Sequence, residues 1–423
     1  MINQTNGDIK MADIVVLGAG ITGIAFANAA RTKFNVKVFE KNNHIGGKCY
    51  SYSVQTKAGT FTFDIGGHWL HTNSYKEVVN LYTNLQEYKR KAYVQIGEDC
   101  VEYPIQNSYI YLSNHSIVEK IMSEMCAIQQ QSGPYANYEE MLQGHYGKTL
   151  YDLFFKSYNQ KLFNLQDLST INYGFLESKR NLSIKEKRGY NSTFMYSSNG
   201  RGAIQFVQQL SNGVDVRLNS TPSRIYPREK RIEFSNGEQI IYDYLVSTIP
   251  LNKLISITED DNNEVSHEAR MLKSSRGLIY NMGIKMNRFI ARKSWIYYPD
   301  KNIPFYRVGV YSNIDSRMAP KDYASIYVEC IVHADYKDIV KCLINKGIIE
   351  KEKDIIFSRY HLLEENYCFY NSATTHIMDW LNLHDIYSIG RYGAWRWSSM
   401  HEDIHQAVNL SEHLQNVPVK SNT

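Results

Sequence analysis

The sequence predicts an α/β protein with a Rossmann-like dinucleotide-binding domain, a mostly helical insertion and a second, mainly antiparallel β-sheet domain. Three observations predict this fold. A glycine-rich turn and a predicted helix lie between two short apolar runs near residue 20. Helical patterns dominate residues 72–170, and residues 277–333 alternate between apolar and polar side chains. The 423 residues are enough for two or three domains with sizeable cores.

The glycine-rich turn lies between a predicted strand at residues 14–17 and a predicted helix that runs to about residue 32. Gly18 permits the tight turn, Gly20 lets the backbone approach a pyrophosphate, and Gly23 lets the helix pack on the strand. The helix N-terminus presents free N–H groups to the phosphates. Glu40 ends the second strand and is placed to accept hydrogen bonds from ribose hydroxyls.

Two glycine pairs follow the acidic residue, Gly46-Gly47 and then Gly66-Gly67. Such pairs let the backbone pass close to a ligand, and two of them beside one nucleotide site favour a flat flavin ring over nicotinamide. This segment resembles the FAD proteins of the amine-oxidase and protoporphyrinogen-oxidase superfamily. No Cys or His is placed to tether the ring, so we expect FAD to be bound non-covalently.

The predicted domains are interleaved along the chain. Residues 11–71, 200–250 and 385–415 form the discontinuous FAD-binding domain, because strand and helix patterns of the nucleotide-binding type resume after residue 200. Residues 72–199 form the mostly helical insertion, which is expected to bind nucleotide or substrate. Residues 251–384 form the antiparallel-sheet substrate domain.

Composition excludes several classes of partner. The net charge of +4 with an ordinary charged fraction does not indicate a nucleic-acid partner. The sequence contains no run of about 18 apolar residues, so we expect no insertion into a membrane. The six cysteines are scattered without metal-ligand spacing, so we expect no metal site and a reducing, cytoplasmic location.

Six further segments resemble the UDP-galactopyranose mutases, FAD-dependent pyranose/furanose mutases of nucleotide sugars. Residues 103–107 are similar to the YPFQN segment of this family, and residues 152–163 to its DLFxxPYNxKxW segment. Residues 189–194 resemble its NATF segment, and residues 295–299 and 304–307 its WLYFP and PFYR pieces. Residues 390–397 match GRFGSWRY. These segments occur in the family's order and, with the glycine motif, extend from residue 13 to about residue 410.

The resemblance implies an isomerase without net redox change that supplies precursors for cell-surface polysaccharides. In this family, N5 of reduced FAD acts as a covalent nucleophile at the anomeric carbon of the nucleotide sugar. The implied partners are therefore a nucleotide-sugar substrate, with UDP favoured and dTDP left open, and a reductant such as NAD(P)H. A homo-oligomer is a further expectation.

The glycine motif and the resemblance together predict the cofactor-binding residues. His68 matches a family histidine whose backbone carbonyl lies beside flavin N5 and responds to its protonation. An acid or base role of the side chain is therefore not required. Glu402 and Asp403 begin the last helix, whose N-terminus can stabilise reduced flavin, and ordinary capping is the alternative. The predicted set is Gly18, Gly20, Ile21, Thr22, Gly23, Glu40, Lys41, Gly46, Gly47, Lys48, Gly66, Gly67, His68, Val216, Gly390, Arg391, Glu402, Asp403 and Ile404.

The resemblance also predicts the substrate-binding residues. Arg307 is the main diphosphate ligand, and it forms the predicted catalytic set with His68 and Arg180. A gapless match puts Ser178 at the family's second arginine, so Arg180 is chosen and Arg188 is the alternative. The other predicted contacts are Tyr103 and Gln106 for the base, Phe154, Tyr158, Asn159 and Phe163 on one helix face, and Trp295, Tyr297, Tyr370, Arg391 and Trp397 around the sugar and diphosphate.

Two departures from the family leave the identity of the sugar undetermined, and two other functions are alternatives to the mutase. Trp397 replaces a tyrosine of the family, and Phe163 replaces a tryptophan, so a 6-deoxy or N-acetyl sugar is an alternative to galactose. The helix-face and strand aromatics are also typical of core packing. The competing functions are an FAD-dependent oxidase or desaturase and a non-catalytic FAD-binding homologue.

Overall fold

The computed structural model describes residues 13–71, 78, 80–128, 135–171, 192–197, 199–261 and 263–416. The predicted unit of strand, helix and strand is present at its start as β1 (Asp13–Leu17), α1 (Ile21–Ala30) and β2 (Asn35–Phe39). Within the described residues, these strands belong to a five-stranded parallel sheet, whose order is β19 (Ile386–Ser388), β13 (Tyr244–Ser247), β1, β2 and β9 (Asp215–Arg217). The remaining strands are β3 (Ser51–Thr56), β4 (Gly59–Asp64), β5 (Leu85–Lys89), β6 (Ala92–Ile96), β7 (Asp99–Glu102), β8 (Thr193–Ser197), β10 (Pro222–Tyr226), β11 (Arg231–Phe234), β12 (Gln239–Ile241), β14 (Gly277–Lys285), β15 (Trp295–Tyr297), β16 (Phe305–Val310), β17 (Tyr323–Cys330) and β18 (Ile355–Leu363).

The helices lie against the sheets and within the insertion. Helix α1 is rich in alanine and almost wholly buried, since small side chains let it lie close to the parallel sheet. No helix among the described residues has both the length and the apolar character needed to cross a bilayer. The other α-helices are α2 (His115–Ile128), α3 (Tyr138–Leu150), α4 (Lys156–Phe163), α5 (Ile204–Leu210), α6 (Leu251–Ser256), α7 (Ser266–Ala269), α8 (Tyr336–Asn345), α9 (Ala373–Leu383), α10 (Gly390–Gly393) and α11 (Met400–Gln415).

The second large sheet is the mainly antiparallel one that the alternating pattern predicts. Its order, as far as the described residues show it, is β18-β14-β17-β16-β15-β6-β7, and only the β15–β6 pair is parallel. Strands β6 and β7 come from the range predicted as the helical insertion, so that range contributes one edge of this sheet. The sheet therefore joins the two parts of the chain at the β15–β6 pair.

The rest of the insertion, within the described residues, consists of helices and the antiparallel β5–β8 pair. Helix α3 continues through a π-helical turn, Tyr151–Phe155, directly into α4. Leu85, within the range where helical patterns dominate the sequence, begins strand β5 instead. Aromatic side chains fill the space between these helices and strands β15 and β16, so the helical layer packs on the antiparallel sheet.

Candidate functional site

A cleft of about 510 Å³ lies at the carboxyl ends of the parallel strands, where open α/β sheets bind ligands. The glycine turn after β1, the two glycine pairs and the start of α11 come together around it. The predicted cofactor residues that line the cleft are Gly18, Gly20, Ile21, Thr22, Glu40, Lys41, Gly46, Gly47, Lys48, Gly67, His68, Gly390, Arg391 and Asp403.

The glycines of the turn have different roles. A Cβ atom on Gly18 would lie 2.4 Å from Thr248 Oγ1, and one on Gly23 would lie 2.0 Å from the carbonyl oxygen of Gly18. A Cβ atom on Gly20 would meet nothing closer than Gly47 Cα at 3.9 Å. Positions 18 and 23 are therefore glycine because protein atoms occupy the space that a side chain would need. At Gly20 the space is open toward the cleft, as backbone contact with a bound diphosphate requires.

Glu40 holds the glycine turn in place. Its carboxylate accepts hydrogen bonds from the Ala19 N–H at 2.9 Å and from the Asn42 N–H and side-chain amide at 2.9 and 2.7 Å. The residue is buried but still lines the cleft. These bonds fix the carboxylate at the rim of the cleft, in the position predicted for a ribose contact.

The second glycine pair forms a turn that side chains from the antiparallel sheet support. The Tyr311 hydroxyl accepts a hydrogen bond from the Gly66 N–H at 3.1 Å and donates one to the Asp64 carbonyl at 2.9 Å. The Asn281 amide donates to the same carbonyl at 2.6 Å. Gly66 has φ of +88°, which favours glycine. The turn thus presents Gly67 and His68 to the cleft in one conformation.

His68 is a neutral imidazole at neutral pH. Burial lowers the pKa of His68 to about 4, and the nearby cations Arg391, Lys48 and Arg307 act in the same direction. Its Nδ1 lies 3.2 Å from the Gly66 carbonyl oxygen. A neutral imidazole does not readily release a proton, so the His68 side chain is poorly suited to act as an acid.

Lys48 and Arg391 both line the cleft. Burial lowers the pKa of Lys48 to about 8, and its Nζ lies 5.4 Å from the centre of the Tyr392 ring. Arg391 donates from both Nε and Nη2 to the Ser398 carbonyl, the Nε bond measuring 2.8 Å. Arg391 therefore ties the loop before α11 to the cleft wall, while Lys48 supplies a buried positive charge.

The three predicted residues near the last helix have separate positions. Glu402 forms a capping box with Ser399, accepting from its N–H at 2.8 Å and its hydroxyl at 2.5 Å. This geometry is the capping alternative, while Asp403 lines the cleft. The side chain of Ile404 is fully buried in the core. Val216, in β9, pairs with Val38 of β2 and lies outside the cleft lining.

The predicted substrate residues meet beyond the Gly66 turn. The Tyr103 ring lies 4.7 Å from that of Tyr297, and Tyr158 packs edge-on against Tyr297 at 5.3 Å. The Arg307 guanidinium lies 5.9 Å from the centre of the Tyr297 ring. Gln106 follows Tyr103 in a short 3₁₀ turn, Ile105–Asn107, and is half-buried. Aromatic rings and a cation are therefore adjacent.

Arg307 is held by a residue that the sequence reasoning missed. Glu329, its neighbour on β17, accepts from Nε at 2.5 Å and from Nη2 at 2.7 Å. A Cβ atom on Gly66 would lie 3.6 Å from Glu329 Oε1, so the ion pair also touches the glycine turn. An acidic residue in an otherwise apolar strand was the available signal. Glu329 connects the flavin-type cleft to the aromatic group.

Several predicted contact residues are instead part of the core. Asn159 is fully buried, and its amide donates to the Phe155 carbonyl at 2.7 Å and accepts from the Tyr138 hydroxyl at 3.3 Å. Both ends of the amide are bonded within the helical layer, and the prediction that Asn159 contacts the substrate stays a prediction. Phe154 and Phe163 are also buried, which agrees with the core-packing alternative.

The remaining predicted aromatic residues differ in their burial. Trp295 is buried and stacks on Trp69, with ring centres 6.1 Å apart. The Trp397 indole N–H donates to the Cys368 carbonyl at 2.9 Å, and the ring packs on Phe163 at 5.3 Å. Tyr370 has 42% of its surface exposed. Position 397 therefore packs against the core here, where the family has a tyrosine.

The second predicted arginine lies outside the described residues. Arg180, its alternative Arg188 and Ser178 all fall between residues 172 and 191, which the structure does not describe. The prediction that Arg180 binds the diphosphate therefore remains a prediction.

Comparisons with known proteins agree with this arrangement. Residues 16–85 match the family model described as an NAD(P)-binding Rossmann-like domain. A crystal structure of reduced UDP-galactopyranose mutase superposes with a TM-score of 0.86 at 22% identity, covering 97% of this chain and 95% of that one. This chain has the fold of the UDP-galactopyranose mutases. The resemblance inferred from the sequence is thereby confirmed at the level of the fold.

Two curated relatives agree with the fold but are distant. The UDP-galactopyranose mutase of Mycoplasma genitalium is 23% identical over 267 residues, which cover 57% of this chain and 63% of that protein. A 4,4'-diapophytoene desaturase of Staphylococcus aureus is 34% identical over 101 residues, or 22% of this chain and 19% of the desaturase. The chain thus matches less than two thirds of the length of either relative.

Proposed function

We propose that this chain is a flavin-dependent mutase that interconverts the pyranose and furanose forms of a nucleotide sugar. The observation that carries the proposal is the Gly66 turn, which lines a dinucleotide-type cleft on one side and touches the Arg307–Glu329 pair on the other. A flavin ring and a nucleotide sugar would meet at this turn. An oxidase or desaturase of the same fold has no need for a cation and packed tyrosines there.

The cleft residues fit FAD. The open space at Gly20, the N-terminus of α1 and Lys48 suit a pyrophosphate, while Glu40 suits a ribose. Gly67 and His68 suit a flat ring that needs close backbone approach. When bound and reduced, the flavin supplies the nucleophile for the anomeric carbon. The protein must keep that group oriented and exclude water.

The remaining residues divide the work on the substrate. Arg307 offers the guanidinium N–H groups that Glu329 does not use to a diphosphate, which must be retained while the sugar ring opens and closes. Tyr103 and Gln106 offer a stacking face and an amide to the uracil base. Tyr158 and Tyr297 are buried and close the sugar site to water.

The test is isomerisation by the reduced enzyme. The purified protein should be yellow and release FAD on heating, as the sequence predicts for a flavin that is not covalently bound. UDP-galactopyranose, other UDP-sugars and dTDP-sugars are incubated with dithionite-reduced and air-oxidised enzyme, and anion-exchange chromatography separates the products. We expect a furanose product only from the reduced enzyme. Equal turnover by oxidised enzyme would reject the mutase, and stoichiometric peroxide from an amine would favour the oxidase.

The wider setting follows from the same proposal. A reduced flavin that must persist between turnovers requires a reductant such as NAD(P)H, which we propose as the physiological partner. The six cysteines are unpaired, which suits the cytoplasm. A role in polysaccharide precursor synthesis would follow from a furanose product.

A further inference from the structure

Lys161 occupies a cage of main-chain carbonyl groups. It lies on α4 and is only 9% exposed. Its Nζ lies 2.5 Å from the carbonyl oxygen of Tyr298, 2.8 Å from those of Asp300 and Phe305, and 3.3 Å from that of Ile303. An ammonium group has three N–H donors, so the four carbonyls share them. One loop thus directs four oxygens at a single cation.

The caged loop joins the two strands that carry the proposed diphosphate ligand and its aromatic neighbour. Residues 298–304 connect β15 to β16, and within these strands Tyr297 is paired with Arg307. On the other side, α4 carries Tyr158, whose ring packs on Tyr297 at 5.3 Å and on Tyr306 at 6.2 Å. Lys161 is therefore the polar link between the helix face and the hairpin.

The arrangement depends on positive charge. Among the described residues, Lys161 forms no salt bridge, so the carbonyl dipoles are what compensates its buried charge. Burial lowers the pKa of Lys161 to about 7, with Asp300 acting in the opposite direction. The carbonyl oxygens also favour the ammonium, since they accept its hydrogen bonds. Without a cation, the buried carbonyl oxygens of Tyr298, Ile303 and Phe305 would lose the donor that Lys161 supplies.

We propose that Lys161 is a positioning residue, the built-in cation of a carbonyl cage that sets the Tyr297–Arg307 hairpin against the aromatic face of α4. It acts through the hairpin and does not itself contact the substrate. The inference rests on the proposed function in one respect, since nucleotide affinity is its readout. Backbone carbonyl oxygens also coordinate K⁺ in channel filters, which suggests how the role can be tested.

The test compares Lys161→Ala with Lys161→Met. Both should retain the flavin content of the wild type, because the cage lies away from the glycine cleft, and both should bind UDP about tenfold more weakly. Lys161→Ala opens the cage, so KCl or propylammonium should restore most of its UDP affinity, while choline chloride at equal ionic strength should not. Lys161→Met fills the cage with an uncharged side chain and should not respond to either cation.

The outcomes separate the two proposals. If the wild type binds no UDP and isomerises no nucleotide sugar, the proposed function fails. If it binds UDP and Lys161→Met binds equally well with full flavin, the positioning role is wrong. Absence of rescue by both cations also overturns the cation role. Where Lys161→Ala is recovered unfolded, refolding from urea with K⁺ but not with choline supports the proposal, and refolding with neither rejects it.

Discussion

Arg307 and Glu329 form a two-pronged ion pair across neighbouring strands, with the arginine side chain 19% exposed and the glutamate side chain 8% exposed. The pair lies between the aromatic group around Tyr297 and the glycine turn at Gly66. Glu329 fixes the guanidinium plane and neutralises part of its charge. A diphosphate would therefore bind to an oriented guanidinium that is already partly compensated.

Replacing Arg307 should weaken UDP binding. Hydrogen bonds to charged groups contribute roughly 1.5–3 kcal/mol each, and about 1.4 kcal/mol is tenfold in affinity, so Arg307→Ala should cost about ten- to a hundredfold. Arg307→Lys should retain only part of the UDP affinity, because an ammonium lacks the two-pronged donor geometry of a guanidinium. Calorimetry on the reduced variants, alongside flavin content, measures this. Unchanged affinity with full flavin would remove Arg307 from the site.

The double variant Arg307→Ala/Glu329→Gln separates binding from folding. Arg307→Ala alone leaves a buried carboxylate without its partner, and breaking such a pair costs about 3–5 kcal/mol of stability. The added Glu329→Gln removes the stranded charge, so the melting temperature should recover while UDP affinity stays low. Recovery of both quantities would show that Arg307 acts only on stability.

Gly20→Ala should impair FAD binding, whereas Gly23→Ala should impair folding. At Gly20 the added methyl group meets no protein atom closer than 3.9 Å, so the apoprotein should melt as the wild type does but bind FAD at least about tenfold more weakly. At Gly23 the methyl group would lie 2.0 Å from a carbonyl oxygen, so folding itself should suffer. Thermal melts and flavin titration measure both. Full FAD affinity in Gly20→Ala would contradict the assignment of the cleft.

His68 should titrate near pH 4. The unfolded chain binds this proton below about pH 6.5 and the native chain only below about pH 4, so the unfolded state carries more protons between these values. The contribution of His68 to the free energy of unfolding should therefore rise with pH across this window and be constant above it. NMR of the ring Cε1–H, with His68→Gln as the comparison, tests this. A midpoint near pH 6.5 would show a solvated, switchable imidazole.

Tyr103→Ala should weaken UDP binding without loss of flavin. Stacking of a base on an aromatic ring is worth about 1–3 kcal/mol by alanine substitution, which predicts a loss of about tenfold or more. Tyr111→Ala is the matched control, since this nearby tyrosine is 73% exposed. Thermal protection by UDP, dTDP and GDP measures the base preference. Much stronger protection by dTDP or GDP than by UDP would reject the uridine assignment.

The local patterns of the sequence were sufficient for the fold and for much of the cleft. The three glycines, Glu40 and the two glycine pairs lie close together along the chain, and their spacing alone implies a strand, a turn and a helix N-terminus. The alternation in residues 277–333 likewise predicted the antiparallel sheet, because one face of each strand is buried. These features depend on neighbouring residues, so they can be read without the tertiary structure.

What the tertiary structure decided is which distant side chains meet. The Arg307–Glu329 bond requires the register of β16 on β17, and the Tyr311 bond to Gly66 joins residues 245 apart in the chain. The same packing turned Asn159 into the core and directed Lys161 to the carbonyls of residues 298–305. The sequence by itself determined the dinucleotide turn and the antiparallel strands of residues 277–333, whose causes are short-range. Only the packed structure determined the partners of charged and polar groups, because strand register and burial are set by contacts across the whole chain.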